Sequence, residues 1–174
     1  MKVTSAPDKT QALIAGRTVD IRPIRASDIR IESDFVRGLS PETKRRRFMC
    51  ALKELSPEAA RNFCQVDGDH TMAYVATIRE HGQEIEIGVS RFAPGSRPDS
   101  RELAITVADA WQNQGLEAAL TRPLVEFAKQ HGVRRMYSVD FADNTEMRAL
   151  ARELGMSAEP DPDDARQTVY SLAL

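Results

Sequence analysis

The chain has 174 residues, enough for one domain of ordinary size and too few for two independent cores, and 41% of them are apolar. With 24 basic and 26 acidic residues, the formal net charge is -2 and the pI lies near 6.0, which excludes wholesale attraction to nucleic acid or to an anionic membrane. No stretch approaches the roughly 18 consecutive apolar residues of a membrane span, and the first ten residues are polar rather than signal-like, so the expected compartment is the cytoplasm.

Residues 1–16 show no sustained apolar period and are expected to form a mobile leader ahead of the fold. Residues 18–24 (TVDIRPI) alternate apolar and polar side chains as a half-buried strand does, and Ser27 with Asp28 supplies a helix N-cap signal. Ser40-Pro41-Glu42 and Ser56-Pro57-Glu58 each place a capping serine before a proline at the first helical position, where the missing N–H would be unpaired anyway. Helices over residues 44–48 and 59–64 follow, and Cys50 and Cys64 are expected in these helical segments as reduced, half-buried small hydrophobes.

From His70 the apolar period becomes two. Strands are expected over residues 71–78, 84–92 and 101–107, with His81-Gly82-Gln83 as a hairpin turn and residues 93–100 as a loop, giving an antiparallel meander. After Gly115, the residues Leu116, Ala119, Leu120, Leu124, Phe127 and Ala128 return at helical spacing, and Gly132 supplies the stop. Pro123 is expected to kink that helix or to shift its start. A strand over 134–141, a helix over 144–154, a charged loop over 160–164 and a strand over 168–172 complete the chain.

The segment 101–118, RELAITVADAWQNQGLEA, reads as strand, short polar loop, glycine, then helix. At such a junction the first helical N–H groups are unpaired and the macrodipole adds about half a positive charge, so a pyrophosphate can be held without a basic side chain. Gly115 permits close backbone approach, and Gln112, Asn113 and Gln114 can add neutral amide donors. No lysine follows the glycine as it would in a Walker loop.

These residues resemble the GNAT acyltransferase superfamily, whose signature is Gln or Arg, two variable residues, Gly, one variable residue, then Gly or Ala. The text here is Gln112-Asn113-Gln114-Gly115-Leu116-Glu117, which departs at its last position. Val107 at the strand end and Trp111 immediately before the glutamine match the family pattern. So does residues 143–156, DNTEMRALARELGM, as an Asn-initiated helix closing on Leu-Gly. Bacterial protein lysine acetyltransferases come closest, since Glu102 stands ten positions before Gln112 as their strand glutamate does.

The resemblance implies an α/β (α+β) fold over residues 17–174: a mixed, mostly antiparallel sheet with helices on both faces, splayed where 101–107 parts from 134–141. It implies acetyl-CoA as donor, no metal, and a primary amine as acceptor, either a protein lysine or a small molecule. The coenzyme would be held by Thr106, Val107, Gln112, Asn113, Gln114, Gly115, Leu116, Glu117, Ala118 and Asn144. Thr106 and Val107 would pair with the pantetheine arm as with an added strand, and Glu102 would be the general base. The late-helix tyrosine that protonates the thiolate in many members is replaced by Ala151.

Several residues admit a plainer employment. Glu117 would repel a phosphate charge at about 5 Å by about 3 kcal/mol at an effective dielectric near 20, or it would point to solvent in the first helical turn. Glu102 would serve as a base or as a surface carboxylate beside Arg101 or Arg91, and Asn144 as a helix cap or a coenzyme contact. Lys44-Arg45-Arg46-Arg47 reads as a solvated helix face, or as a greeting for an acidic protein substrate or the coenzyme's phosphates. A non-catalytic acyl-CoA-binding module is the alternative to an enzyme, and a homodimer is the assembly that an exposed apolar strand edge would favour.

Overall fold

The computed structural model describes residues 9–174. Period-two segments become strands β1 (Thr10–Ile14), β2 (Arg17–Pro23), β3 (Met72–Glu80), β4 (Gln83–Pro94), β5 (Ser100–Val107), β6 (Arg135–Phe141), β7 (Ser157–Pro160) and β8 (Gln167–Ala173). Helices α1 (Ile29–Gly38), α2 (Pro41–Phe48), α3 (Pro57–Cys64), α4 (Leu116–Gln130) and α5 (Thr145–Glu153) fill the connections. The strands form one sheet in the order β1-β2-β3-β4-β5-β6-β8-β7, antiparallel except between β5 and β6. None of the described helices is long and apolar enough to cross a membrane.

The sheet is buried from both sides. Strand β3 sends Tyr74, Ala76 and Ile78 into one core and Ala73 and Val75 into the other, so alternation here selects a face rather than exposure. Helix α4 closes the first face with Leu116, Leu120 and Leu124, each fully buried and worth about 1.5–3 kcal/mol on transfer from water. Gly88 lets α4 approach: a Cβ there would stand 2.9 Å from Leu120 Cδ1. Helices α1 and α3 close the other face with Phe35, Val36 and Cys64.

The two Ser-Pro-Glu signals behave as their chemistry dictates. Ser40 Oγ accepts from Thr43 N–H and Ser56 Oγ from Ala59 N–H, both at 3.1 Å. Asp28 closes a single 3-10 turn, Ala26–Asp28, accepting from Arg25 N–H at 2.7 Å and from the Arg22 guanidinium at 2.7 and 3.0 Å. Beneath α1, Glu32 and Glu86 are both buried; burial, reinforced by the Glu32 charge, pushes the Glu86 carboxyl well above its ordinary range. Arg91 partners Glu32 at 3.0 Å and donates to the Phe63 carbonyl at 3.1 Å.

Several expectations need correction. The leader ends earlier than residue 16, because Thr10–Ile14 pairs with β2 from Thr10↔Ile21 to Ile14↔Arg17 around an Ala15-Gly16 turn with φ of 48° and 76°. Ile14 and Ala12 reach the core from this edge while Leu13 faces solvent, an alternation too short to register in the sequence; residues 1–8 of that leader lie outside the described residues. Pro123 does not move the start of α4, which runs from Leu116 to Gln130. Cys50 is exposed and lies beyond α2, while Cys64 is buried, and burial pushes its thiol up to about 12. Strand β7, all four residues exposed, gave no apolar signal at all.

Candidate active site

The parallel pairing of β5 and β6 is short: Ser100↔Arg135, Arg101↔Met136 and Glu102↔Tyr137, after which the strands part. The splay expected between these strands is therefore present, and it opens a cleft lined on one side by Glu102 to Val107 and on the other by Ser138, Val139 and Asp140. The edge of β5 from Leu103 to Val107 that faces the cleft has no strand partner. It offers main-chain donors and acceptors at strand spacing, the template for an extended ligand.

At the far end of β5 a second 3-10 turn, Asp109–Trp111, leads into the glycine junction. Trp111 is buried and its N–H donates to the Ala108 carbonyl at 2.7 Å, anchoring the loop. Asn113 and Gly115 both have positive φ, 59° and 85°, so the chain doubles back before α4. A Cβ on Gly115 would meet nothing within 4 Å, so glycine is required there by backbone conformation and not by space. Leu116 and Ala118 bury their side chains in the core, so they can serve a ligand through main-chain N–H alone.

The polar side chains of the loop are already employed. Gln112 Nε2 donates to the Val107 carbonyl at 3.0 Å and to Thr43 Oγ1 at 3.2 Å, tying the strand end to α2. Gln114 Nε2 donates to the Ala110 carbonyl at 2.9 Å, and Asn113 Nδ2 to Glu146 Oε1 at 3.4 Å. The side-chain amides of these three residues brace the loop, satisfying the Val107 and Ala110 carbonyls before the turn and reaching Thr43 on α2 and Glu146 on α5. Asn113, Gln114, Gly115, Leu116 and Ala118 do not line the cleft with their side chains, whereas Thr106, Val107, Gln112, Glu117 and Asn144 do.

Glu117 neither points to solvent nor stands clear of the junction. Its Oε1 accepts from Asn113 N–H at 3.3 Å, so a carboxylate sits against the loop's own main chain. Burial pushes it above the ordinary carboxylate range, the N–H groups of Glu117 and Asn113 oppose this, and the nearby charges of Glu146 and Glu153 add to it. Asn144 caps α5: its Oδ1 accepts from Met147 N–H and its Nδ2 donates to Asp140 Oδ2, both at 3.1 Å. Its side chain is buried and satisfied, which favours the capping employment.

Glu102 is exposed at the root of the splay, on the last residue where β5 still pairs with β6. Thr106 Oγ1 is buried on the cleft lining with no hydrogen-bond partner, an orphaned polar atom that suits a ligand in the cleft. No tyrosine, cysteine or histidine is among the described residues that line the cleft, and Ala151, on α5, is buried in the core. No cluster of three or more His, Cys, Asp or Glu among the described residues is placed to hold a metal ion.

Only the minor reading of its basic run pointed to α2 as a wall of the site. Thr43, Arg46, Arg47 and Met49 line the cleft, because α2 crosses from β5 toward β6, where Arg45 lies 4.8 Å over the Phe141 ring. The signal lay in the basic run, of which Lys44 is buried and Arg46 and Arg47 are half-buried, contrary to a uniformly solvated face.

The acetyltransferase (GNAT) domain family matches residues 19–157 of the chain. A Pseudomonas aeruginosa acetyltransferase is 42% identical over 164 residues, spanning 94% of this chain and 88% of that protein. The crystal structure of the GNAT domain of S. lividans PAT superposes with a TM-score of 0.85 at 24% identity, covering 95% of this chain and 97% of that one. A cAMP-binding acyltransferase from Mycobacterium smegmatis is similar at a TM-score of 0.63 and 22% identity over 95% of this chain but 47% of its own length. Those structural likenesses speak for the fold, and the family match and the sequence relative go further: the chain is a GNAT-family acetyltransferase.

Proposed function

We propose that the protein moves an acetyl group from acetyl-CoA to a primary amine, a protein lysine or a small molecule, by direct attack within a ternary complex. The observation that carries this reading is the single cleft that has unpaired β5 edge along its wall, unpaired helix N–H groups at one end and Glu102 at the other. The N–H groups from Gly115 to Ala118 would face the pyrophosphate, and the backbone of Thr106 and Val107 the pantetheine arm. The orphaned Thr106 hydroxyl supports a polar ligand there.

Glu102 would take a proton from the ammonium group, directly or through a water, and the amine nitrogen would then bond to the thioester carbon as the carbon–sulfur bond breaks. The departing thiolate, whose conjugate acid has a pKa of about 8.5, leaves without a dedicated acid and takes up, through solvent, the second proton that the attacking nitrogen sheds as the amide forms. That step needs no tyrosine, consistent with Ala151 and with the composition of the cleft lining.

Thiol release from acetyl-CoA, measured against a panel of amines and lysine peptides, tests the reading. Release that depends on the amine supports it. Coenzyme binding with no turnover on any acceptor favours the second reading, a non-catalytic acyl-CoA-binding module, whose one specific support is the Glu117 carboxylate resting on Asn113 N–H.

A further inference from the structure

The four consecutive cations of α2 have separate fates. Lys44 is buried, and its Nζ donates to the Arg37 carbonyl at 3.0 Å and the Lys53 carbonyl at 2.8 Å. Arg45 covers Phe141, and Arg46 donates to Glu42 at 2.7 Å. Arg47 is half-buried on the cleft lining, and among the described residues it has neither an ion pair nor a hydrogen bond.

Aromatic rings hold it in place. Phe48 and Phe63 stack at 6.3 Å with planes 6° apart, and the Arg47 guanidinium lies 5.0 Å from the first ring centroid and 6.0 Å from the second. Arg91 covers the same Phe63 ring at 4.4 Å, but its charge is matched by Glu32, whose Oε1 it holds at 3.0 Å. Burial pushes the Arg47 guanidinium down to about 10, the Arg91 charge pushes it the same way, and Glu32 and Glu102 oppose both. It remains a cation at neutral pH, with five planar donors, two aromatic walls and no anion of its own.

Among the described residues the Arg47 donors have no protein acceptor and are free to take an anion from the cleft, and the planar fork of guanidinium fits a carboxylate with two parallel bonds. The same cleft carries Glu102, where the amine of the acceptor would arrive. We infer that Arg47 is a specificity-determining residue: it binds a carboxylate that the acceptor carries within reach of the cleft, so the preferred acceptor has a positive amine for Glu102 and a negative group for Arg47. This rests on the acetyl-transfer reading. The carboxylate has two sources, a free amino acid or an acidic side chain beside a lysine in a peptide, and both present the same group to the same fork.

Two matched pairs of acceptors separate the sources: lysine against cadaverine, which lacks the carboxylate, and a short capped Glu-Lys peptide against its Gln-Lys counterpart. The wild-type protein is expected to favour the carboxylate-bearing member of one pair by about tenfold or more in kcat/KM, chiefly through KM, as a charge-assisted bond would give. Arg47→Gln brings that ratio close to one, and Arg47→Lys, which keeps the charge and loses the fork, retains part of it. If Arg47→Gln does not fold, Arg47→Lys carries the comparison.

A binding readout decides the matter independently of turnover: the Arg47 Nε–H NMR signal, followed during titration with Nε-acetyllysine, with an Nε-acetylated Glu-Lys peptide and with N-acetylcadaverine, moves with at least one of the first two and not with the third. No preference in either wild-type pair, a preference that survives substitution of Arg47, or a signal that ignores acetyllysine and the Nε-acetylated Glu-Lys peptide alike overturns the inference. If no amine is acetylated yet the signal answers acetyllysine, the transferase reading falls and the anion site stands.

Discussion

The two ends of the cleft use opposite parts of the polypeptide. Around Gly115 the side chains of Gln112, Asn113 and Gln114 are spent on bracing the turn, and what remains for a ligand is main chain. Around α2 the main chain is satisfied within a helix, and what remains is side chain: the Arg47 guanidinium and, across from it, the Glu102 carboxylate. A group common to every turnover is suitably held by backbone, which no substitution short of proline removes. A group that differs between acceptors is suitably read by side chains, which can be exchanged one at a time.

The largest effect that would break this contrast is at the side-chain end. Glu102→Gln is expected to lower kcat by about 10²-fold or more, with little change in coenzyme affinity measured by calorimetry. Unchanged turnover across the pH range would remove Glu102 from the chemistry. At the main-chain end, Gly115→Val forces a branched residue to φ 85° and should cost about 1–3 kcal/mol of stability together with weaker coenzyme binding, although space for the side chain is free. A variant that melts like the wild type and binds as tightly would show that the turn is not conformationally demanding.

Glu117→Gln sharpens the comparison further, because it removes a negative charge from the backbone end. Coenzyme affinity near pH 7.5 is expected to rise by about tenfold, a fraction of the repulsion between unscreened charges. The sign with pH follows from the raised pKa of Glu117: protonation removes the charge that opposes phosphate, so wild-type affinity rises as pH falls through that pKa and levels off above it. In Glu117→Gln this component of the pH dependence disappears, and its persistence would assign it to another group. The smallest effect is that of Asn144→Ala, about 1 kcal/mol of stability from the lost α5 cap, read as a fall in Tm. A change in coenzyme affinity larger than the change in stability would make Asn144 a ligand contact instead.

Local rules were enough to read most of the scaffold. The serine caps before Pro41 and Pro57, the glycine before Leu116 and the alternation through β3, β4 and β5 act over a few residues and leave their mark in a few residues. Strands β1 and β7 were not legible, since an edge strand needs only one partner and little burial, and neither carries a repeating apolar face. In the site, the β5 edge and the glycine junction were legible because strand, turn and helix are contiguous in the chain. The role of α2 was not, because it depends on a helix nearly 60 residues upstream of Glu102 lying across the splay, which no local pattern encodes. The posture of Glu117 likewise turns on whether one carboxylate finds Asn113 N–H or water, a choice of one rotamer.

Among the described residues, three rungs between β5 and β6, with the Arg134 and Arg135 N–H groups donating to the Asp99 carbonyl just before them, join the β1–β5 half of the sheet to the β6–β8 half by main-chain pairing. A molecule lying along the parted edges therefore acts as a splice, and its affinity is felt as cohesion between the halves. Saturation at a hundred times Kd adds about 2.7 kcal/mol to the folded state. Amides of Leu103 to Val107 and of Ser138 to Phe141 should slow their hydrogen exchange together under acetyl-CoA, although they belong to strands that never touch along that length.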